Sequence, residues 1–397
     1  MFAAAALLVC ATCPYASIQA AVAAAEPGQT VRVLAGRYEE TVRIDRPLRL
    51  EGEGAVWDGG GQRELLVVAA DGVFVSGFEF RRSARDLLRD TAALRVVRAG
   101  GCRIENNVFE DNFFAIYLEE ARDCLVQRNE IRGIPRGEAG SANGIHAWNS
   151  SKLRIEHNRV SGHRDGIYLE FTNDSEILGN TAEANVRYGL HFMYADRNRF
   201  RHNRFATNGA GVAVMYSQHV DMEQNEFREH EGRASYGLLL KEISHSRLHC
   251  NRFLRNSVGA HFDESNHNLI VGNRFEANGL AVSLWASAEG NEFRANVFDG
   301  NVFDFHTNST GETTNRLEGN YYSAYLGYDR DRDGYGDLPF RPFAYSAVLL
   351  GRYPLAGLLV KSPFFELLDF SERLLPSFAP AGLVDDQPAL HPPACED

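Results

Sequence analysis

At 397 residues, 44% of them hydrophobic, the chain is long enough to bury a sizeable core as one elongated domain or two ordinary ones. A formal net charge of −12 argues against a general binder of nucleic acid or anionic lipid and is compatible with metal cations or basic partners. The 36 glycines and the abundant asparagines suit repeated turns and point to a β-rich fold.

The chain opens on "MFAAAALLVCATCPYA", apolar but too short to span a bilayer. Residues 1–14 are expected to be an atypical, possibly truncated export signal, since the apolar core is there and the basic start is not. The "CATC" spacing of Cys10 and Cys13 lies in no βαβ pattern and is not read as a redox motif. In "SIQAAVAAAEPG", Ser17 is placed to cap a short helix whose apolar stripe is Ile18, Ala21, Val22 and Ala25. That helix is expected to cover the open end of a stack of coils. Residues 31–100 read as the first, degenerate coils of that stack ("VRVLAG", "LRLEGEG", "VFVSGFEF").

Self-similarity decides the fold from there. Asn107, Asn129, Asn158, Asn180, Asn203, Asn225, Asn251, Asn273, Asn296 and Asn320 recur mostly every 22 or 23 residues. So does a Gly or Ala that opens a short alternating strand: Ala115, Gly144, Gly166, Gly189, Gly211, Gly237, Gly259 and Ala281. Two longer intervals, at "IPRGEAGSAN" and "EHEGRAS", read as loops. Short strands at this period, without helices, predict an all-β, right-handed parallel β-helix over residues 15–325. Coils then stack at about 4.8 Å, and equivalent residues form ladders. Apolar ladders are expected inward: Ile145, Ile167, Leu190, Val212, Leu238, Ala260 and Val282, with Ala147, Leu169, Phe192, Val214, Leu240, Phe262 and Leu284 two positions on. A third runs through Ile104, Val126, Ile155, Ile177, Phe200, Met222, Leu248 and Ile270. The asparagine ladder is read as structural, its amides bonding one another and the backbone. Cys102 and Cys124 share an inward column, which suits either a disulfide or two buried thiols.

The side chains between the inward columns face out. One stripe is Tyr117, His146, Tyr168, His191, Ala213, Leu239, His261 and Ser283; the next is Glu119, Trp148, Glu170, Met193, Met215, Lys241, Asp263 and Trp285. Histidine, methionine and aromatics in place of a solvated mix suggest a binding surface. His191, Met193 and Met215 make a soft donor set that favours Cu(I); plain hydrophobes under a loop are the other reading. A turn ladder of Lys152, Asp174, Arg197, His219, His245 and His267 puts three histidines on consecutive coils, either a second metal candidate or solvated turn residues.

After Asn320 the repeat stops. Residues 326–378 form an expected C-terminal extension. Its "DRDRDGYGD" puts Asp329, Asp331, Asp333 and Asp337 in the spacing of half a calcium loop, although position twelve is Phe340. An acidic surface turn fits equally. Phe364, Phe365, Leu367, Leu368, Leu374, Leu375 and Phe378 mark an amphipathic helix too short to span, expected to dock on a membrane-bound partner or on the solenoid end. Residues 379–397 read as a flexible tail.

Taken together, "SIQAAVAAAEPGQTV…GRY", "GLHFMYADRN", "GAGVAVMYS", "YDRDRDGYGDLPFRP" and "GRYPLAGLLVKSPFFELLDFSERLLP" resemble the NosD family over about residues 15–378. The resemblance implies a periplasmic, non-catalytic maturation factor for the copper sites of nitrous oxide reductase. It implies work beside an ABC transporter permease and its ATPase and a copper-chaperone lipoprotein, with membrane contact only through a partner. His191, Met193 and Met215 then become the expected place of transient copper contact, and the apolar C-terminal segment the anchor to the permease. Two rivals remain. A polysaccharide lyase or epimerase would use Trp148, Tyr168 and Trp285 for stacking and Glu170, His191, Lys241 and Asp263 for proton transfer. A metal-free scaffold would use the rod alone.

Overall fold

Each coil has three short straight runs, as in Arg103–Glu105, Val108–Glu110 and Phe114–Glu119. Single residues with positive φ turn the corners between and after them, here Asn106, Asp111 and Glu120. A non-glycine residue held there is strained by the clash of its Cβ with the backbone. Inter-coil hydrogen bonds hold it in place: the Asn106 amide donates to the Gln127 carbonyl of the next coil at 3.2 Å. The computed structural model describes residues 6–86, 90–232, 234–285, 287–308, 313–343, 362 and 383–395. The chain divides into two units, Met1–Asn208 and Gly209–Asp397, each a parallel β-helix.

In the first unit, Leu7–Val9 pairs in parallel with residues 31–33 of Thr30–Tyr38, so part of the expected leader forms a strand of the first coil. A disulfide joins Cys10 to Cys13, and another joins Cys102 to Cys124. The helix Ile18–Ala24 is the one helix among the described residues. Ser17 caps it by accepting the Ala20 amide proton at 3.1 Å, and Ile18, Ala21 and Val22 are buried. The Glu40 carboxylate takes the amides of Ile18 and Gln19 at 2.7 and 3.0 Å, which fixes the helix start against the first coils.

The long-face strands of the first unit, Phe114–Glu119, Ile145–Trp148, Asp165–Glu170 and Tyr188–Met193, pair in the register the ladders require: Ile145 to Ile167, Ile167 to Leu190, Leu169 to Phe192. The second unit repeats the pattern in Ala210–Met215, Tyr236–Lys241, Val258–Asp263 and Leu280–Leu284. The inward columns are buried in both units, and Met222 is core. The landmark glycine is needed where one coil crosses close over the next: a Cβ on Gly166 would lie 2.6 Å from the Gly189 carbonyl oxygen.

The asparagine ladder explains how these corners are satisfied. In the first unit the Asn158 backbone and side-chain N–H groups both donate to Asn180 Oδ1, at 2.9 and 3.0 Å, and the Asn180 amide passes the pattern to Asn203. In the second unit Asn251, Asn273, Asn296 and Asn320 do the same. That run ends on a carboxylate. The fully buried Asp385 accepts the Asn320 backbone N–H at 3.0 Å and its side-chain N–H at 2.9 Å, together with the Gly319 N–H at 3.1 Å and the Tyr322 hydroxyl at 3.3 Å. Residues 383–395, expected to be loose, are therefore packed. Asp385 exchanges both backbone hydrogen bonds with Phe340, and the Ala389 amide donates to the Asn320 carbonyl. The Pro- and Asp-rich composition misleads because one aspartate completes a hydrogen-bond column made elsewhere. Asp385→Ala should cost about 3 kcal/mol or more, since several buried donors lose their acceptor at about 1–3 kcal/mol each. Asp385→Asn keeps an acceptor for the two Asn320 N–H groups but turns an amide NH2 toward the Gly319 N–H, so its cost should fall between the parent and the alanine variant. Urea midpoints of the two variants check this. The expected docking residues Phe364, Phe365, Leu367, Leu368, Leu374, Leu375 and Phe378 lie outside the described residues.

Candidate metal-contact surface

In the first unit the outward stripe forms a ladder of rings. Tyr117, His146, Tyr168 and His191 sit directly opposite one another on successive coils, with neighbouring ring centroids 4.7, 4.8 and 4.6 Å apart. Expected to face water, these four are buried. Alternation sets which side of the wall a residue faces; what lies against it there is set by its neighbours at the strand ends. Phe114 stacks on Tyr117 at 5.5 Å, Trp148 packs on the same cluster, and the Tyr188 ring lies 4.9 Å from His191.

A charged pair organises the lower end of this ladder. Asp165, 0% exposed, accepts two hydrogen bonds from the Arg187 guanidinium at 2.9 and 2.6 Å. Burial alone would raise its pKa, but hydrogen bonds and charge from Arg187 and His191 outweigh that and hold the carboxyl at about 2. An ionised carboxylate only accepts. His191 Nδ1, 3.3 Å from Asp165 Oδ2, therefore carries the ring proton. In the neutral ring, the form that binds a metal, the lone pair is then on Nε2, which is buried and without a hydrogen-bond partner. A carboxylate that orients an imidazole in this way is the usual support of a metal-binding histidine. Two residues on, Met193 is half-buried, and its sulfur accepts from the Tyr168 hydroxyl at 3.4 Å. Burial raises the pKa of the Tyr168 phenol, so it stays a donor. Glu170 pairs in register with Met193, and its carboxylate lies 4.0 Å from His146 Nε2. His146 is held neutral, its pKa pushed down to about 3 by burial and then by the Arg164 charge. Neither Asp165 nor Arg187 was singled out from the sequence. Asp165 directly before Gly166 and Arg187 two residues before Gly189 are an acid and a base on adjacent coils at positions one residue out of register, so the ladders alone do not pair them.

In the second unit Met215 is half-buried and pairs with Lys241, whose ammonium lies 3.7 Å from Asp263. His261 is buried against the edge of Trp285, with centroids 5.0 Å apart, and burial lowers its pKa to about 4. Trp285 is 40% exposed. The turn histidines His219, His245 and His267 are exposed and stacked, with centroids 5.6 and 5.7 Å apart. Their first-unit counterparts Asp174 and Arg197 make a two-pronged ion pair instead. In the acidic loop, one oxygen each of Asp329, Asp331 and Asp333 lie within 4.8 Å of one another. Asp329 accepts the Arg332 and Gly334 amides and Asp337 the Arg330 amide, so much of this carboxylate capacity serves the loop's own turn. Phe340 packs on Tyr322 at 4.6 Å, which accounts for an aromatic where a calcium loop has glutamate.

Comparison with known proteins places this geometry. Residues 133–327 match the family model described as "Periplasmic copper-binding protein (NosD)". The chain is 32% identical over 381 residues to the "Probable ABC transporter binding protein NosD" of Pseudomonas aeruginosa, covering 91% of this chain and 88% of that protein. It is 32% identical over 384 residues to the protein of the same description from Stutzerimonas stutzeri, covering 91% and 87%. The catalytic unit of a thermostable GH87 α-1,3-glucanase from Streptomyces thermodiastaticus superposes with a TM-score of 0.62 at 14% identity, over 77% of this chain and 65% of that one, a likeness of fold alone. No helix among the described residues is long and apolar enough to cross a membrane. Identity at this level along nine-tenths of its length shows that the chain belongs to the NosD family.

Proposed function

We propose that this chain is a periplasmic copper-binding accessory protein that couples an ABC transporter, permease and ATPase together, to assembly of the copper sites of nitrous oxide reductase. In this reading it receives copper from a copper-chaperone lipoprotein, holds it transiently, and touches the membrane only through its partner. The family description and the relatives' names support the copper and transporter parts. The observation that carries the reading is His191. Its Nδ1 proton is pinned by Asp165, its Nε2 lone pair is unused, and a thioether stands two residues away on the same face. Imidazole and thioether together suit Cu(I), and a thioether has no acid–base role in sugar chemistry. The polysaccharide reading is weakened by the same surface.

Cu(I) titration of the purified protein against a competing chelator tests this. His191→Ala and Met193→Ile should each weaken the tightest Cu(I) equivalent by about tenfold to a hundredfold, the range seen when a metal centre loses a supporting group. Met215→Ile, made separately, reports whether the second-unit thioether takes part. Unchanged affinity in both His191→Ala and Met193→Ile, with native circular dichroism, would exclude this surface as the copper contact.

A further inference from the structure

We propose that His249, Cys250 and Cys395, in the second unit, form a second soft-metal site that is open when the two cysteines are reduced and closed when they are joined. Nothing in the sequence pattern brings these three together. Cys250 occupies a corner position with positive φ, at the column shared by Gln224 and Gly272 on the neighbouring coils. Cys395 arrives from 145 residues away, carried by the tail that Asp385 and Ala389 tie to the last coil. Room for both sulfurs comes from Gly272: a Cβ there would lie 3.2 Å from Cys395 Sγ and 3.6 Å from Cys250 Sγ. With Cys10–Cys13 and Cys102–Cys124 each joined, Cys250 and Cys395 are the remaining two of six.

A disulfide alone would not call for the third residue. His249 ends the strand Arg247–His249 and is 7% exposed. Its Nε2 lies 3.2 Å from Cys250 Sγ and 3.8 Å from Cys395 Sγ. Its Nδ1 is buried without a hydrogen-bond partner, 4.0 Å from Glu223 Oε1. A buried imidazole with no hydrogen-bond partner on one nitrogen and two sulfurs against the other is costly as plain structure. As a ligand it is well placed: one donor atom from each of the three residues lies within 4.8 Å of the others. Two soft thiolates with an imidazole suit Cu(I), the ion this reading takes, with Zn(II) as its competitor.

The exchange balances in electrons and protons. A dithiol reductant gives two electrons and two protons to the Cys250–Cys395 bond and closes to its own disulfide, leaving two thiols. Cu(I) then displaces both thiol protons to solvent and keeps its oxidation state. In reverse, a disulfide oxidant takes two electrons from the thiolates and two protons from solvent to become a dithiol, while the Cys250–Cys395 bond re-forms and Cu(I) is released. The site thus holds copper only while the pair is reduced.

The test uses the full chain carrying Cys10→Ser and Cys13→Ser, so that reduction opens no other accessible pair while Cys102–Cys124 stays buried, either reduced with a phosphine and desalted without oxygen or left oxidised, and titrated with Cu(I) against a chromogenic Cu(I) chelator. Reduction should add one tightly held equivalent, accompanied by thiolate-to-copper absorption in the ultraviolet. A Cys250→Ser/Cys395→Ser variant, checked for native circular dichroism, should lack that equivalent. His249→Asn should hold it about tenfold to a hundredfold less tightly. Met193→Ile should keep it, which separates this site from the His191 surface. The proposal is overturned if reduction adds no equivalent, if the double serine variant still gains one, if His249→Asn is unaffected, or if the reduced pair takes Zn(II) in preference to Cu(I).

Discussion

Asp165→Ala should destabilise the protein by about 3 kcal/mol, the low end of what breaking a buried ion pair costs, because Arg187 keeps a path to solvent. The carboxylate is fully buried, so its removal strands the guanidinium and the Nδ1–H of His191 together. Asp165→Asn keeps an acceptor and loses the charge, and should fall between parent and alanine. Copper should report the same change. With its proton no longer fixed on Nδ1, His191 can present either nitrogen, and Cu(I) affinity should fall about tenfold or more. Urea midpoints by circular dichroism and the chelator titration measure the two effects. A shift under about 1 kcal/mol with unchanged copper affinity would mean that Asp165 supports neither the fold nor the histidine.

Moderate acid should weaken the first unit well before its carboxylates protonate. Burial lowers the pKa of His146 to about 3 and of His163 to about 4, from an ordinary 6.5. Between those values and 6.5 the unfolded chain takes a proton at each histidine and the folded chain does not. Stability is therefore level above about pH 7 and falls as pH drops through 6.5, by about 1.4 kcal/mol per unit for each histidine. Asp165 acts in another window. Its folded pKa of about 2 lies below the ordinary 3.8, so its contribution is complete above about pH 4 and is lost only on the way down to 2. His146→Phe keeps a ring between Tyr117 and Tyr168 and removes one titrating group. Urea midpoints between pH 7.5 and 4.5 should show its acid slope shallower than the parent's by about 1.4 kcal/mol per unit. Equal slopes would show that His146 does not carry the effect.

The coil repeat and its inward columns were readable from the sequence because each column obeys two simple periods, one along the strand and one along the stack. Ile145 over Ile167 over Leu190, and Asn158 over Asn180 over Asn203, come from counting. The helix cap at Ser17 came from local chemistry alone. What counting could not supply was depth. His146, Tyr168 and His191 point outward as the alternation says, yet they are buried, because Phe114, Trp148 and Tyr188, at the ends of the same strands, pack their rings against the ladder. Nor could it supply partners outside the repeat. Asp385 and Cys395 lie in a segment with no periodicity, and only the finished last coil gives them something to bind.

The ending of the Asn320 column on Asp385 also bears on the order in which this molecule can be finished. The two residues are 65 positions apart. A chain that emerges N-terminus first on the far side of a membrane presents the Asn320 donors 65 residues ahead of their acceptor. Throughout that delay the terminal rung stands as an open strand edge, the kind of surface that recruits a stray chain. Products cut short before Asp385 should thus be sticky at one end, and their clumping on refolding from urea, where the full chain stays dispersed, would reveal a hazard set by one late-arriving carboxylate.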